Sequence, residues 1–527
     1  MKKIIAAALA AVMAASCLAG CGSSDNSTTG TNSNVKLGDT GGLELPLDTK
    51  NTELRFLVCS SKENMNDSYV LQKLREVTGI NVQLMVFPSS TIAEKRKVMV
   101  ASKDIPDIMG SSFATYDEIN DLGVQGAFAP VNDYIDVMPN FKKIFVDDPE
   151  NNWVFKSYQA SDGKLYGLPW YEVQRDVNHG ILYRKDVFDK LNIPMWNSPD
   201  EFYQALKQLK QLYPQSTPFV SKNGVNLFNL LGQSWGLGNN SPGVYFNEET
   251  RTWQYASTDQ KYKDMLDFLK KMYDEKLLDP EFLTCTQAAW TSKMTQPESA
   301  FATFDWIGRL DMFKEQTANT VPDYDLRYAY PIGPTGKVIT LSKVSSGICV
   351  KKSEKSGLAF QLLDYLLSEG GTELITLGIE GVTYNLSADG KHAEYIGFEP
   401  DKAIAITDLE EKYGMFISGV YRRFDKRSCY FNFTEREQEA QDMMLDKQGG
   451  GFIPEPPEVV LNDAEKETVS SIDAKVRKAA EEFASKYILT SETGDAAWQK
   501  WLGQAQQIGS KQVEEAYNAA QQRYDAQ

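Results

Sequence analysis

Histidine is almost missing from this chain: His179 and His392 are the only two in 527 residues. Histidine is the commonest general base and metal ligand near neutral pH. No H-E-x-x-H, G-x-S-x-G or phosphate-loop pattern compensates. Metal-assisted hydrolysis and Ser-His chemistry therefore lack their parts, and no cofactor is expected. A D-x-D-x-D-G calcium loop is also absent, so no metal site is expected. Cysteine is sparse, six in all with no C-x-x-C pair and no metal-like spacing. Cationic clusters are missing too: 55 Lys and Arg stand against 72 Asp and Glu, a net charge of −17. Phosphate backbones need clustered cations, so nucleic acid is not an expected partner. The acidity itself favours solubility and says little about a ligand. Beyond the first fifteen residues no apolar run approaches the roughly 18 residues of a membrane-spanning helix. Paired carboxylates alone can hydrolyse a glycosidic bond, but among 72 acidic residues no pair is singled out.

What is present begins at the N-terminus. Lys2-Lys3 precede an apolar run from Ile4 to Ala15, too short to span a bilayer and typical of a secretory signal. The following Leu18-Ala19-Gly20-Cys21 resembles the lipobox of bacterial lipoproteins, which implies a signal peptide over 1–20 and a lipid on the Cys21 thiol. Two acyl chains suit stable anchoring where one holds only marginally. Residues 22 to about 50 are rich in Ser, Thr, Gly and Asn and read as a flexible tether. Of the later cysteines, Cys59 and Cys349 sit in apolar strand patterns and read as small buried hydrophobes. A disulfide among Cys59, Cys285, Cys349 and Cys429 stays open.

The length predicts two or more domains, and 42% hydrophobic residues suffice for ordinary cores. From Leu54 the pattern alternates: LRFLV as strand, a helix carrying Val70, Leu71, Leu74 and Val77, NVQLMVF as strand, another helix, then DIPDIMG as a short strand. That order argues for a mainly parallel sheet, whose ligand edge lies beyond the carboxyl ends of its strands. Ser61 and Ser111 fall in the loops at that edge. From Ser161 to Ile193 a strand ends at Pro169, a polar stretch runs from Glu172 to His179, and a second strand, Ile181-Leu182-Tyr183, follows. Such a strand–crossing–strand arrangement is what a hinge between two lobes requires. Further on, Ser198-Pro199-Asp200-Glu201 is a capping box. Residues 214–256 are loop-rich, and a strong amphipathic helix precedes LLDPEF. From about 435 the chain reads as helical.

The run DGK-L-YGLP followed by LYRKD-F-KLNIP resembles the family 1 extracellular solute-binding proteins of ABC importers, in particular the long lipoproteins of carbohydrate-using Gram-positive bacteria. The resemblance implies a two-lobed α/β fold of the periplasmic-binding-protein type II kind, each lobe a sheet flanked by helices. It implies three crossings: the one after Pro169, one at ITLSKVSSGICV (339–350) and one at TLGIEGVTY (376–384). Lobe 1 is then 51–170 plus 343–380, and lobe 2 is 178–340 plus 384–527 with a helical C-terminal extension. It further implies a monomer, anchored to the membrane by its lipid on the extracellular face. Such a protein captures a carbohydrate, an oligosaccharide for preference, and hands it to ABC permease subunits by hinge closure.

Candidate binding residues lie at the crossings and sheet edges. Trp170 and Tyr171 line the cleft or pack the hinge; Glu172 and Arg175 hold ligand hydroxyls or belong to a solvated loop. SAFATFDWIGR (299–309) resembles the strand where sugar-binding members place an aromatic ring, which makes Trp306 and Asp305 candidates against the alternative of a core Trp. Trp235, in a Gly-rich loop, and Glu380 with Tyr384, on the third-crossing resemblance, complete the set. Sugars offer apolar C–H faces that stack on rings and hydroxyls that need paired donors and acceptors, so Trp with Asp, Glu and Arg is a fitting lining. Two other readings stay open: the same fold serving a sensor or a non-sugar importer, and a secreted glycoside-active enzyme.

Overall fold

The computed structural model describes residues 38–49, 52–110, 115–173, 175–386, 388, 393–399, 404–425 and 434–526. Its first lobe is built on a six-stranded sheet. In spatial order the strands are Arg423–Asp425, Gly167–Val173, Val344–Val350, Ile108–Met109, Glu53–Cys59 and Asn81–Phe87. The βαβ pattern read from Leu54 onward forms three parallel neighbours, with Ile108–Met109 and Asn81–Phe87 on either side of Glu53–Cys59. Val344–Val350 runs antiparallel between Ile108–Met109 and Gly167–Val173. Two-residue periodicity sends Leu54, Phe56 and Val58 into a large core on one face, while Leu57 joins Met109 and Cys349 on the other.

The second lobe has a four-stranded sheet in the order Leu326–Ala329, His179–Arg184, Ala302–Trp306, Phe219–Val220. Ile181, Tyr183 and Phe304 face the larger core of this lobe, and Leu182, Val220 and Tyr328 the smaller. The helices Asp463–Leu489, Gly494–Ile508 and Ser510–Asp525 complete that larger core with Val476, Tyr487, Trp498 and Trp501. Asn518 holds the last of them in place: its side chain accepts from the Trp253 amide at 2.9 Å and donates to the Trp253 carbonyl at 2.8 Å.

Three differences from the expected organisation have physical causes. Pro169 does not end its strand, which continues to Val173. The partner strand shifts register between Ser345 and Gly347, opposite the proline that has no N–H to give, and pairing resumes beyond it. The stretch 376–384 is not a crossing. Gly378 and Gly381 do adopt positive φ, +85° and +78°, but they fold a tight turn in which the Gly381 amide bonds the Tyr384 carbonyl. Tyr384, Ala393, Leu409, Met415 and Phe424 then all pack in the first core, so the described segments between Tyr384 and Asp425 belong to the first lobe. The next described element, Glu435–Leu445, packs Ala440 and Met444 in the second lobe. Lastly, the tether does not extend to residue 50. Leu43 and Leu47 are buried in the first core, and the Gly370 amide bonds the Asp39 carbonyl.

Candidate ligand site

Strand directions put the chemistry at one edge of each sheet. In the first lobe, the carboxyl ends of Glu53–Cys59, Asn81–Phe87, Ile108–Met109, Gly167–Val173 and Arg423–Asp425 point the same way, together with the amino end of Val344–Val350. In the second, the start of His179–Arg184 lies beside Trp306 at the end of its antiparallel neighbour, with Lys222 just past the parallel strand Phe219–Val220. The crossing 175–178 joins the two edges. Gln441 holds it there, accepting from the Asp176 and Val177 amides at 3.0 and 2.8 Å and donating to the Val177 carbonyl at 2.7 Å.

On the first-lobe edge the half-buried Trp170 packs against Tyr421, ring centroids 4.9 Å apart, with the Arg422 guanidinium carbon 5.7 Å from the indole. Arg422 is 2% exposed and donates through Nη2 to the Leu168 carbonyl at 2.8 Å, whereas Nη1 has no hydrogen-bond partner. Burial lowers its pKa to about 9. Glu172 is half-buried; desolvation raises its carboxyl above the usual range against the pull of Arg175 and Arg422. Tyr171 turns the other way, onto Phe145 at 5.8 Å, and braces the crossing from the first core.

On the second-lobe edge Trp306 is 36% exposed, the one tryptophan among the exposed large hydrophobics of the described residues. The residue before it is nearly buried: Asp305 pairs with Lys222 at 2.7 Å, with Arg309 at 3.7 Å, and accepts from the Trp306 amide at 2.7 Å. The Lys222 ammonium also lies 4.4 Å from the Trp290 ring centre. Arg175 donates to Asn178 Oδ1 at 2.8 Å, and Asn178 Nδ2 approaches His179 Nδ1 at 3.1 Å. Partial burial lowers the His179 pKa and Lys222 and Arg175 reinforce it, while Asp305 opposes.

Of the residues singled out from sequence, Trp170, Glu172, Arg175, Asp305 and Trp306 thus occupy the two edges and the crossing between them. Ser61 is exposed on the first-lobe edge, next to Lys62, which pairs with Glu411. Trp235 does not belong to the site: it is 4% exposed, packed on Phe268 in the second core, because the Gly-rich loop folds back as a short helical turn. Tyr384 is a core residue whose hydroxyl bonds Glu373, and Glu380 lies exposed in the turn beside it, within the first lobe. Ser111 and Cys21 lie outside the described residues. Tyr421, Arg422 and Lys222 were missed. The run VYRRF carries an aromatic–arginine signal that could have drawn attention, whereas Lys222, in a turn of Ser, Lys, Asn and Gly, carries none.

Among the described residues no cluster of three or more His, Cys, Asp or Glu is arranged to hold a metal. Cys59, Cys285 and Cys349 are free thiols. What the site offers is rings, buried charges and a jointed floor, which suits reversible capture.

Comparison with known proteins agrees. Residues 70–395 match the family described as bacterial extracellular solute-binding protein. The fructooligosaccharide ABC transporter substrate-binding protein FusA of Streptococcus pneumoniae is 29% identical over 283 residues, spanning half of this chain and half of FusA. The polygalacturonan/rhamnogalacturonan-binding protein YtcQ of Bacillus subtilis is 21% identical over 85% of this chain and 87% of its own length. The alginate-binding protein AlgQ2 superposes with a TM-score of 0.64 at 23% identity, covering 90% of this chain and 98% of AlgQ2, which is a likeness of fold. By its matched residues and its two-sheet architecture, the chain belongs to the bacterial extracellular solute-binding proteins.

Proposed function

We propose that this protein is the substrate-binding component of an ABC importer, that its ligand is an oligosaccharide, and that it binds without turnover. The observation that carries this reading is the placement of Trp170, beside Tyr421 and Arg422, and of Trp306, beside Asp305, on the two sheet edges that the short crossing 175–178 joins. Rings of this kind stack on the C–H faces of sugar units, and the charged groups around them supply donors and acceptors for hydroxyls. A ligand touching both edges makes contacts that only the closed arrangement completes, and so shifts the population toward closure. The closed form is what membrane permease subunits would receive. Anchoring through a lipid on Cys21 would keep the monomer beside them at the outer face of the membrane.

The test is a thermal-shift screen of purified protein with kestose, oligogalacturonates, alginate oligomers, amino acids and peptides. A ligand present at about 100 times its Kd adds roughly 2.7 kcal/mol. A shift confined to one saccharide class supports the proposal. A shift with peptides alone, or appearance of shorter saccharides on incubation, overturns it.

A further inference from the structure

Trp306 is followed two residues later by Gly308, the residue just before the helix Arg309–Thr317. Glycine usually marks a place where the backbone needs positive φ, but Gly308 has φ −60° and ψ −10°, which any residue adopts. Nor is a neighbouring backbone among the three atoms nearest to where a side chain would start. The three atoms nearest to an added β carbon are all outer atoms of the Trp306 indole, Cη2, Cζ3 and Cζ2, at 2.3, 2.4 and 2.5 Å. The six-membered half of the ring therefore lies folded back over residue 308, in the space that a methyl group would take.

The rest of the strand end is fixed. Trp306 pairs with His179 across the sheet, the Ile307 amide bonds the Asn178 carbonyl at 3.0 Å, and Asp305 holds the Trp306 amide while pinned by Lys222. With the backbone held on both sides, the side-chain torsions of Trp306 are the remaining freedom, and the bare Gly308 surface sets where the ring rests. We infer that Gly308 is the positioning residue for the aromatic platform of the ligand site: it lets the Trp306 indole lie down on the chain and present one open face to a sugar, and a side chain here would lift the ring into the space the sugar takes. The inference rests on the reading of Trp306 as a sugar platform.

Because the obstacle is the movable ring of a partly exposed side chain, Gly308→Ala costs little stability. The ring turns, and residue 308 already holds helical φ and ψ, which alanine adopts at a smaller entropic cost than glycine. The experiment compares wild type, G308A, W306A and the double variant, each labelled with 5-fluorotryptophan. The fluorine resonance of Trp306 is identified by its loss in W306A. Binding is measured by titration calorimetry with whichever saccharide of the screen gives the largest thermal shift. The expected result is an unchanged melting temperature in G308A, a displaced Trp306 resonance without any ligand, and binding weakened about tenfold. The double variant should bind no worse than W306A.

An unmoved resonance in G308A overturns the positioning role whether or not a ligand has been found. Wild-type affinity in G308A alongside a weak W306A overturns it as well, while leaving the platform reading intact. If W306A itself binds as tightly as wild type, the reading of Trp306 fails first and the inference falls with it.

Discussion

Glu172 stands half-buried beside a crossing, with its pKa raised mainly by desolvation. In the unfolded chain its pKa returns to the ordinary value near 4.5, so over the window just above that value the folded state holds more protons than the unfolded. Stability attributable to this group therefore falls as pH rises through the window and stays lower at neutral pH. Glu172→Gln should raise the melting temperature at pH 7 and leave it nearly unchanged at pH 4, while weakening saccharide binding; calorimetric scans at the two pH values check it. Lys222 acts in the opposite sense. It answers the nearly buried Asp305 at 2.7 Å, and Arg309 at 3.7 Å is a poorer substitute. Lys222→Met should cost about 3 kcal/mol in urea unfolding, since it leaves a charge buried and weakly paired, and the further change Asp305→Asn should restore part of it.

Strands, more than side chains, decide where the ligand edge lies, and glycine at one of them has a different task from Gly308. In the strand His179–Arg184, a β carbon on Gly180 would stand 2.2 to 2.4 Å from the phenol of Tyr328, itself buried in the smaller core. Gly180→Ala should therefore destabilise by about 2–3 kcal/mol, read from the urea midpoint at unchanged slope. Much of this layer can be read directly from the chain. The alternation in LRFLV, the cap at Ser198, which accepts from the Glu201 amide, and the apolar stripe of Val70, Leu71, Leu74 and Val77 all follow local rules, and the structure keeps each. Local rules do not reach as far as assignment to a lobe. Gly378 and Gly381 announce sharp backbone turns, but whether the chain turns out of a lobe or back into it depends on Tyr384 finding Glu373 and Tyr395. Trp235 illustrates the same limit: a ring in a Gly-rich loop is equally at home in a cleft or on Phe268, and only the long-range packing decides. Tyr421 and Arg422 gain meaning solely because their segment returns beside Trp170, some 250 residues away in sequence.

Taken together, the lobes meet through the crossings and also through a few contacts from the C-terminal helices. Lys466 pairs with Asp117 at 2.8 Å and Lys156 lies 5.5 Å from the Tyr524 ring centre, each bridging from one lobe to the other. Both members of the ion pair are exposed, so the pair is worth at most about 1 kcal/mol and biases closure without locking it. Lys466→Glu should loosen the closed arrangement, lowering saccharide affinity by no more than about fivefold and raising the radius of gyration of the ligand-free protein in small-angle scattering. A loss of a hundredfold would show that the C-terminal helices take a direct part in binding. The sheet order also governs how the protein is made. Gly167–Val173 lies between Val344–Val350 and Arg423–Asp425, so both its edges wait for segments synthesised far later. Until those segments have been made, that strand is held open with its backbone groups unpaired, a state prone to joining the wrong neighbour. The first lobe, though it is made first, finishes late, and a chain stopped short of residue 423 would keep a ragged sheet edge open to proteolysis.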